Sequence, residues 1–372
     1  MEKGQAVNET ERKRAIGLVS VASCEGVEAS LLDTDGRDAI HPIGHVSLPY
    51  SERLRWRLLE VIQSDLPTTE ILRLEREMTA AYVAAFNLLC REFGDAAREA
   101  EVIGFSGHTI RHIPSEGLTL QIGNPWQLAQ GTGIPVVSDF RRHDMSNGGA
   151  GTPLEAMFYW AMMANEKRPS LLLHLGSVAK LVWLSETNEI IAGDTGPGVG
   201  LVDEWVQEMS NLPHDLEGKV AQAGTPDPAL IESALAGPFF ARPLPKGAGR
   251  DDFEHIDVSG LNAEDGAATL AHITIEAFIR AARRLPSLPD VLWVTGRGSR
   301  HALFCELLAK TFPQVKNVAD RGLSPSAVQP NCYAWLAVRH LYRLPITTPE
   351  TTGCRSADCG GTITRAAIET CI

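Results

Sequence analysis

The sequence contains no Cys-x-x-Cys pair. Its seven cysteines (Cys24, Cys90, Cys305, Cys332, Cys354, Cys359 and Cys371) are scattered and odd in number. That pattern excludes a disulfide framework and a zinc site of the usual spacing, and reads as reduced thiols in a cytoplasmic protein. No apolar run reaches the roughly 18 residues that a spanning helix requires, so no membrane span is expected. The opening MEKGQAVNETERKRAIG has no apolar stretch ahead of a cleavage site and does not read as a secretory leader. An excess of positive charge is also lacking: 34 Lys and Arg stand against 46 Asp and Glu, a net charge of −12. This excludes general binding to nucleic acid or an anionic membrane, while leaving room for an anionic ligand held by a few local cations.

What is present fits a large α/β protein. With 372 residues, 44% of them hydrophobic, the chain has material for two cores. Apolar runs at 15–22, 27–32 and 42–48, separated by SCEG and DTDGRDAIH, predict a three-stranded meander. Residues 51–63 and 67–93 show helical spacing, with Ile71, Leu74, Met78, Ala81, Tyr82, Ala85, Leu88 and Leu89 on one buried face. A strand is expected at 101–105, just before Gly107. The pattern then returns at 170–193: SLLLHL, VAKLVWL and IIAG read as three more strands. DVLWVTGRGSRHALFCELLAK (290–310) reads as strand, glycine turn, helix, and EVIGFSGHT is its weaker counterpart in the first half. Two similar halves suggest a duplicated α/β fold with a cleft between lobes, although periodicity alone does not separate it from two unrelated α/β domains. The expected division is an N-terminal lobe at 1–165 and a C-terminal lobe at 166–372, with a Pro- and Gly-rich, loop-heavy insertion at about 211–255.

Three stretches carry the residue types of a site. SDFRRHDMSNGGAGTPL (138–154) sets Arg141 and Asp144 beside Gly149. Carboxylates there can bind sugar hydroxyls or act as a base, and glycines let backbone approach a ligand; the plain alternative is a salt-bridged loop. GDTGPG (193–198) places Asp194 directly after a short strand, with Gly196 and Gly198 positioned to let amides face a cleft. Such an Asp can deprotonate an attacking oxygen, or it can simply cap a turn. TGRGSRH (295–301), with Gly296 and Gly298 between strand and helix, can hold a nucleotide. Lys246 and Arg250 in the insertion either reach an anion or are solvated surface, and His108 and His174 are either ligands or core histidines.

GHTIRHIP, TLQIGNPWQLAQGTGIPVVSDFRRHDMSNGGAGTPL and GDTGPGVGLVDEW, followed by GRDDF, EDGAATL and PETTG, together resemble the anhydro-N-acetylmuramic acid kinase family over about residues 15–362. The resemblance implies a duplicated actin-like (ribonuclease H-like) two-lobed ATPase fold with a central cleft. It implies use of ATP and water to open the 1,6-anhydro bridge, phosphorylation of O6, and N-acetylmuramic acid 6-phosphate as product, in cytoplasmic cell-wall recycling. Mg2+ would bridge the phosphates, and a homodimer is the family tendency. Asp194 would be the base that activates water. Gly107, Thr109, Arg141, Asp144 and Gly149 would bind the sugar. Ser23, Gly26, Gly176, Lys180, Gly196, Gly198, Gly296 and Gly298 would line the phosphate and nucleotide side.

The chain departs from the family pattern mainly on that side. At the opening hairpin, family Gly and Thr become Val21 and Ala22, and two Asp become Glu25 and Glu28. A β-branched residue resists positive φ and blocks close approach of a phosphate. In the second hairpin, His174 and Lys180 replace two asparagines and Ser177 replaces a glycine, with Lys180 available as a positive charge for phosphate. Arg297 stands within a run of three glycines; His301 and Val199 replace asparagines, His108 replaces a glutamine, and Gln329 replaces a glutamate. Glutamine cannot act as a base or carry charge. Two readings follow: a divergent but active sugar kinase, or a non-catalytic sugar-binding or regulatory paralogue that has lost ATP binding. Retention of Asp194 and its glycines favours the kinase.

Overall fold

The apolar runs become strands whose pairing repeats. In a computed structural model that describes residues 11–20, 23–210 and 212–367, the first half contributes β1 (Lys13–Ser20), β2 (Gly26–Thr34), β3 (Ile40–Pro49), β4 (Val102–Phe105), β5 (His108–Ile113), β6 (Leu118–Ile122) and β7 (Val136–Ser138). The second contributes β8 (Ser170–Leu175), β9 (Val178–Leu184), β10 (Ile190–Pro197), β11 (Val291–Thr295), β12 (Gln314–Asn317) and β13 (Thr362–Thr364). The predicted substitutions at Val21 and Ala22 lie outside the described residues.

Two main sheets result. The first has the order β13-β7-β4-β1-β2-β3 and the second the order β10-β9-β8-β11-β12, while β5 and β6 form a separate hairpin. In both, three strands run as an antiparallel meander and two more lie parallel to the first of them: β4 and β7 follow β1, and β11 and β12 follow β8. The same connectivity twice is the duplicated actin-like, ribonuclease H-like fold. The central strands β4 (VIGF) and β8 (SLLLHL) are buried throughout, as expected for strands covered on both faces. The helix Thr68–Phe93 buries Leu74, Met78, Tyr82, Ala85, Phe86 and Leu89 in the first lobe's core. Ile71, Ala81 and Leu88 of the expected stripe pack at its margin or stay half-buried. The helix Ala263–Ala282 does the same work for the second sheet.

The C-terminal stretch does not follow a division near residue 165. The helix Pro325–Leu341 packs on β1 and β4, and β13 pairs antiparallel with β7 on the first sheet. Glycines make the helix contact: a Cβ on Gly17 would lie 1.7 Å from the Pro330 carbonyl oxygen, and one on Gly104 would lie 1.9 Å from that of Tyr333. Gly17→Ala is therefore expected to push the helix off its seat at a cost of about 3 kcal/mol, read as a lowered denaturant midpoint with unchanged slope. A variant as stable as the parent would show that the helix is not held this closely.

The insertion is more ordered than its composition suggests. It contains the helices Lys219–Ala223, Pro228–Leu235 and Pro238–Ala241. Asp227 caps the second by accepting from the backbone N–H groups of Ala229 and Leu230, with Pro228 at the first helical position. Phe239 meets Phe240 and Phe253 edge-on, with ring centroids 5.4 and 5.2 Å apart, and all three join the second lobe's core.

Candidate active site

Strand register builds the centre of the site. His174 on β8 is opposite Lys180 on β9, which is opposite Asp194 on β10. Directly opposed residues point to one face of a sheet, so the three side chains form a row. A register shift between Asp194 and Gly196 interrupts the ladder, so Asp194 lies inside β10, just before this irregularity, rather than directly after a strand as its sequence suggests. Asp194 is buried. Its backbone N–H donates to the Lys246 carbonyl at 2.8 Å, its Oδ2 accepts from the Ala248 N–H at 2.8 Å, and its Oδ1 accepts from Thr152 Oγ1 at 3.3 Å. Burial raises its pKa above the ordinary 3.8, against the pull of the Lys180 ammonium, the Ala248 N–H and the Arg141 guanidinium. A buried carboxylate with increased proton affinity suits general-base chemistry near neutral pH.

Lys180 is engaged rather than free. Its Nζ donates to Thr152 Oγ1 at 3.2 Å and pairs with Glu155 at 3.4 Å. Burial pushes the Glu155 carboxyl up, but Lys180 and His174 prevail and hold it at about 2. Gln329, on the helix Pro325–Leu341, donates its amide to Glu155 Oε1 at 3.3 Å. His174 meets the Tyr159 hydroxyl at 2.7 Å, and burial takes its pKa down to about 4.

Among the residues expected to bind the sugar, the structure brings some to the centre and leaves others as scaffold. Arg141, on the helix Phe140–Ser146, acts electrostatically on Asp194, Glu155 and His112. Asp144 is buried and fully used in local structure: Oδ2 accepts from the Gly151 N–H at 2.8 Å and Oδ1 from Thr352 Oγ1 at 2.7 Å. A Cβ on Gly149 would strike that carboxylate at 2.2 Å, so this glycine serves the Asp144 contact. Thr109 accepts from Gln121 Nε2 at 3.2 Å, one residue beyond β5's start and two beyond the positive-φ Gly107. His112 was not singled out by the sequence reading. Burial, with Arg141 and Lys180 nearby, takes its pKa down to about 2, so it is a neutral imidazole facing the same charges as Asp194. Its place in GHTIRHIP was the available signal.

The second-lobe turns converge beside the row. The Gly198 N–H donates to Ser177 O and the Val199 N–H to Gly176 O, both at 2.9 Å. The Gly198 amide is thus turned to the neighbouring hairpin rather than into the cleft. A Cβ on Gly198 would lie 1.9 Å from Gly176 O, one on Gly296 2.7 Å from Leu175 O, and one on Gly298 2.8 Å from Leu175 Cβ. These glycines let the turns after β8, β10 and β11 pack against one another. Gly196 instead gives room to Ala277 of the long helix. In the first lobe, the opening hairpin turns at Cys24, with φ +55, next to half-buried Ser23. Gly26 is where a Cβ would meet Leu48 O at 2.4 Å.

A sequence model of the anhydro-N-acetylmuramic acid kinase family matches residues 13–366. The chain belongs to the anhydro-N-acetylmuramic acid kinase family. Relatives bearing that name include proteins of Zymomonas mobilis, 34% identical over 94% of this chain and 99% of the relative, and Rhizorhabdus wittichii, 37% identical over 93% and 97%. One from Acidiphilium cryptum is 37% identical over 94% and 98%.

Within an anhydro-N-acetylmuramic acid kinase, the departures read from the sequence have structural partners. Arg297 pairs with Asp203 and lies 3.8 Å from Glu25 of the opening hairpin, and His214 approaches Glu25 at 3.7 Å. Substituted positions from the two lobes therefore face each other. His108 is a core histidine: it meets Ser20 Oγ at 2.8 Å and burial lowers its pKa to about 4. His301 caps the helix Ala302–Ala309 by accepting from the Phe304 N–H at 3.4 Å, and faces Asp215 at 3.3 Å. Lys246 and Arg250 of the insertion both have partners within the protein. Lys246 is buried, donates to Phe239 O at 2.8 Å, and is pulled to about 8 by burial and by Arg242 and Arg284. Arg250 is paired with both oxygens of Glu204 at 2.8 and 2.9 Å. What the insertion does supply is backbone: Lys246 O and Ala248 N hold Asp194. Among the described residues, no helix is long and apolar enough to cross a membrane, and no group of three or more His, Cys, Asp or Glu is arranged to hold a metal.

Proposed function

We propose that this family member opens the 1,6-anhydro bridge of anhydro-N-acetylmuramic acid and phosphorylates it at O6, using ATP, in the cytoplasm. One water adds at the anomeric carbon, the bridging C–O bond breaks, and the released O6 takes the γ-phosphoryl group. N-acetylmuramic acid 6-phosphate and ADP result. The observation that supports the reading is Asp194: a buried carboxylate within β10, at a break in its register and held on both oxygens by donors.

In this reading Asp194 takes the water's proton. Arg141, Thr109 and the neutral His112 face the sugar. Ser23, Gly26 and the turns at Gly176, Gly198, Gly296 and Gly298 face the nucleotide, and Arg297 reaches toward Glu25 of the opening hairpin. Mg2+ needs only one or two protein carboxylates when phosphates and water complete its shell. Glu25 of that hairpin already faces Arg297 and His214, a setting that does not fit a bound cation, so no described carboxylate is assigned to the ion.

Mass spectrometry of the product formed in ¹⁸O-water tests the proposal. The expected product is the 6-phosphate carrying one ¹⁸O on the anomeric hydroxyl and none in the phosphate. Absence of product with MgATP and anhydro-N-acetylmuramic acid would overturn it, and ¹⁸O-labelled inorganic phosphate without any sugar phosphate would mean ATP hydrolysis instead.

A further inference from the structure

Lys180 is placed neither as a surface cation nor as a free phosphate ligand. Its side chain is 12% exposed, its Nζ lies 3.4 Å from Glu155 Oε2 and 3.5 Å from Oε1, and it donates to Thr152 Oγ1 at 3.2 Å. Thr152 is buried, and its own hydroxyl donates to Asp194 Oδ1 at 3.3 Å. The direction of this chain is forced by chemistry. An ammonium only donates, so Thr152 must accept from it, and a hydroxyl has one proton to give, which falls to Asp194. On the other oxygen of Asp194, the Ala248 N–H at 2.8 Å also only donates. Both neighbours of the carboxylate are therefore donors, and neither accepts a proton from it.

We propose that Lys180, anchored by Glu155, is a positioning residue for Asp194, acting through Thr152 to fix the carboxylate's orientation and keep Oδ1 an acceptor. The inference rests on the reading of Asp194 as the base, and it gives Lys180 a role other than phosphate binding. The register places Lys180 directly opposite Asp194, so the chain needs no long reach. The charged groups that face Asp194 come from four elements. They are Lys180 from β9, Glu155 from the segment before the helix Ala156–Met162, Arg141 from the helix Phe140–Ser146, and Lys246 from the insertion. Of the charges on Asp194, Lys180 opposes the effect of burial most strongly. Its loss must raise the proton affinity of the carboxylate.

The test uses the full chain and the variants Lys180→Met, Lys180→Arg and Thr152→Val. Two readouts are taken: the acid limb of kcat/KM against pH, and the ¹³C-carboxyl titration of Asp194 in aspartate-labelled protein without substrates, assigned with Asp194→Asn. Lys180→Met is expected to move both readouts upward by about one pH unit. Thr152→Val, which keeps every charge, is expected to move them in the same direction by less, and Lys180→Arg to restore them. An Asp194 resonance that titrates as in the parent in both Lys180→Met and Thr152→Val overturns the proposal. So does a rise of tenfold or more in the KM for ATP with the acid limb unmoved, which would make Lys180 a phosphate ligand. If Lys180→Met does not fold, Thr152→Val alone decides. A parent protein that shows no kinase activity while the resonance still shifts would sink the reading of Asp194 as a kinase base but not its coupling to Lys180.

Discussion

Asp194→Asn is expected to lower kcat by about a thousandfold, the usual scale for loss of a general base, while nucleotide binding measured by calorimetry stays within a few-fold of the parent. The amide keeps the shape and one acceptor oxygen for the Ala248 N–H, and its NH2 group can turn to the Thr152 hydroxyl. Stability should move the other way from activity. Burial raises the folded-state pKa of Asp194, so its ionised form carries a cost at pH values above that pKa, and stability linked to this group falls as pH rises through it. Replacing the carboxylate by an amide removes that cost, and the melting temperature at pH 8 should be no lower than the parent's. Such a trade of stability for activity is characteristic of catalytic groups. Loss of activity together with a collapsed melting temperature would instead assign Asp194 a structural role. The acid limb of kcat/KM should also lie above the ordinary aspartate value of 3.8, because the free enzyme must lose this proton to work.

The second large effect concerns the Lys180–Glu155 pair. Removing one partner of a buried ion pair leaves an uncompensated charge and costs about 3–5 kcal/mol. Lys180→Met and Glu155→Gln should each be destabilised on that scale, and the double variant by clearly less than either single change. A double-mutant cycle in urea reads this directly, and strictly additive losses would show that the two charges do not depend on each other. The pH dependence has a definite sign. Glu155 is depressed from 4.5 to about 2. Its contribution is therefore present in full above the unfolded value and is lost as pH falls through the window from 4.5 to 2. In Glu155→Gln, the loss of stability across that window should be smaller than in the parent.

Much of the architecture was readable along the chain. Residues 15–20 and the runs at 27–32 and 42–48 fall in β1, β2 and β3, and SLLLHL, VAKLVWL and IIAG fall in β8, β9 and β10. Buried strands must be apolar wherever both faces are covered, and turns must carry residues that permit them, so such signals survive in local sequence. Asp194 was legible for a similar reason, since an acidic residue that follows an apolar run stands out against its surroundings, although the strand continues past it to Pro197. The motif that contains His112 was visible too, but nothing local distinguishes that histidine from His108 in the same strand. One is wedged against Ser20 in the core and the other faces Arg141 and Lys180.

Local pattern alone established two apolar-stranded halves, the helices between them and an acidic residue directly after an apolar run. Folding decided which distant residues meet. The helix Pro325–Leu341 settles on β1 because Gly17 and Gly104 leave room for its backbone, and this carries Gln329 to Glu155. The insertion brings the Lys246 carbonyl and the Ala248 N–H to Asp194. Lys180 meets Glu155 and Thr152 rather than solvent. Periodicity reports which face of an element avoids water; it carries no information about the partner across that face. Hydrogen bonds and ion pairs depend on distances of a few ångströms between residues far apart in the chain, and only the packed structure sets those distances.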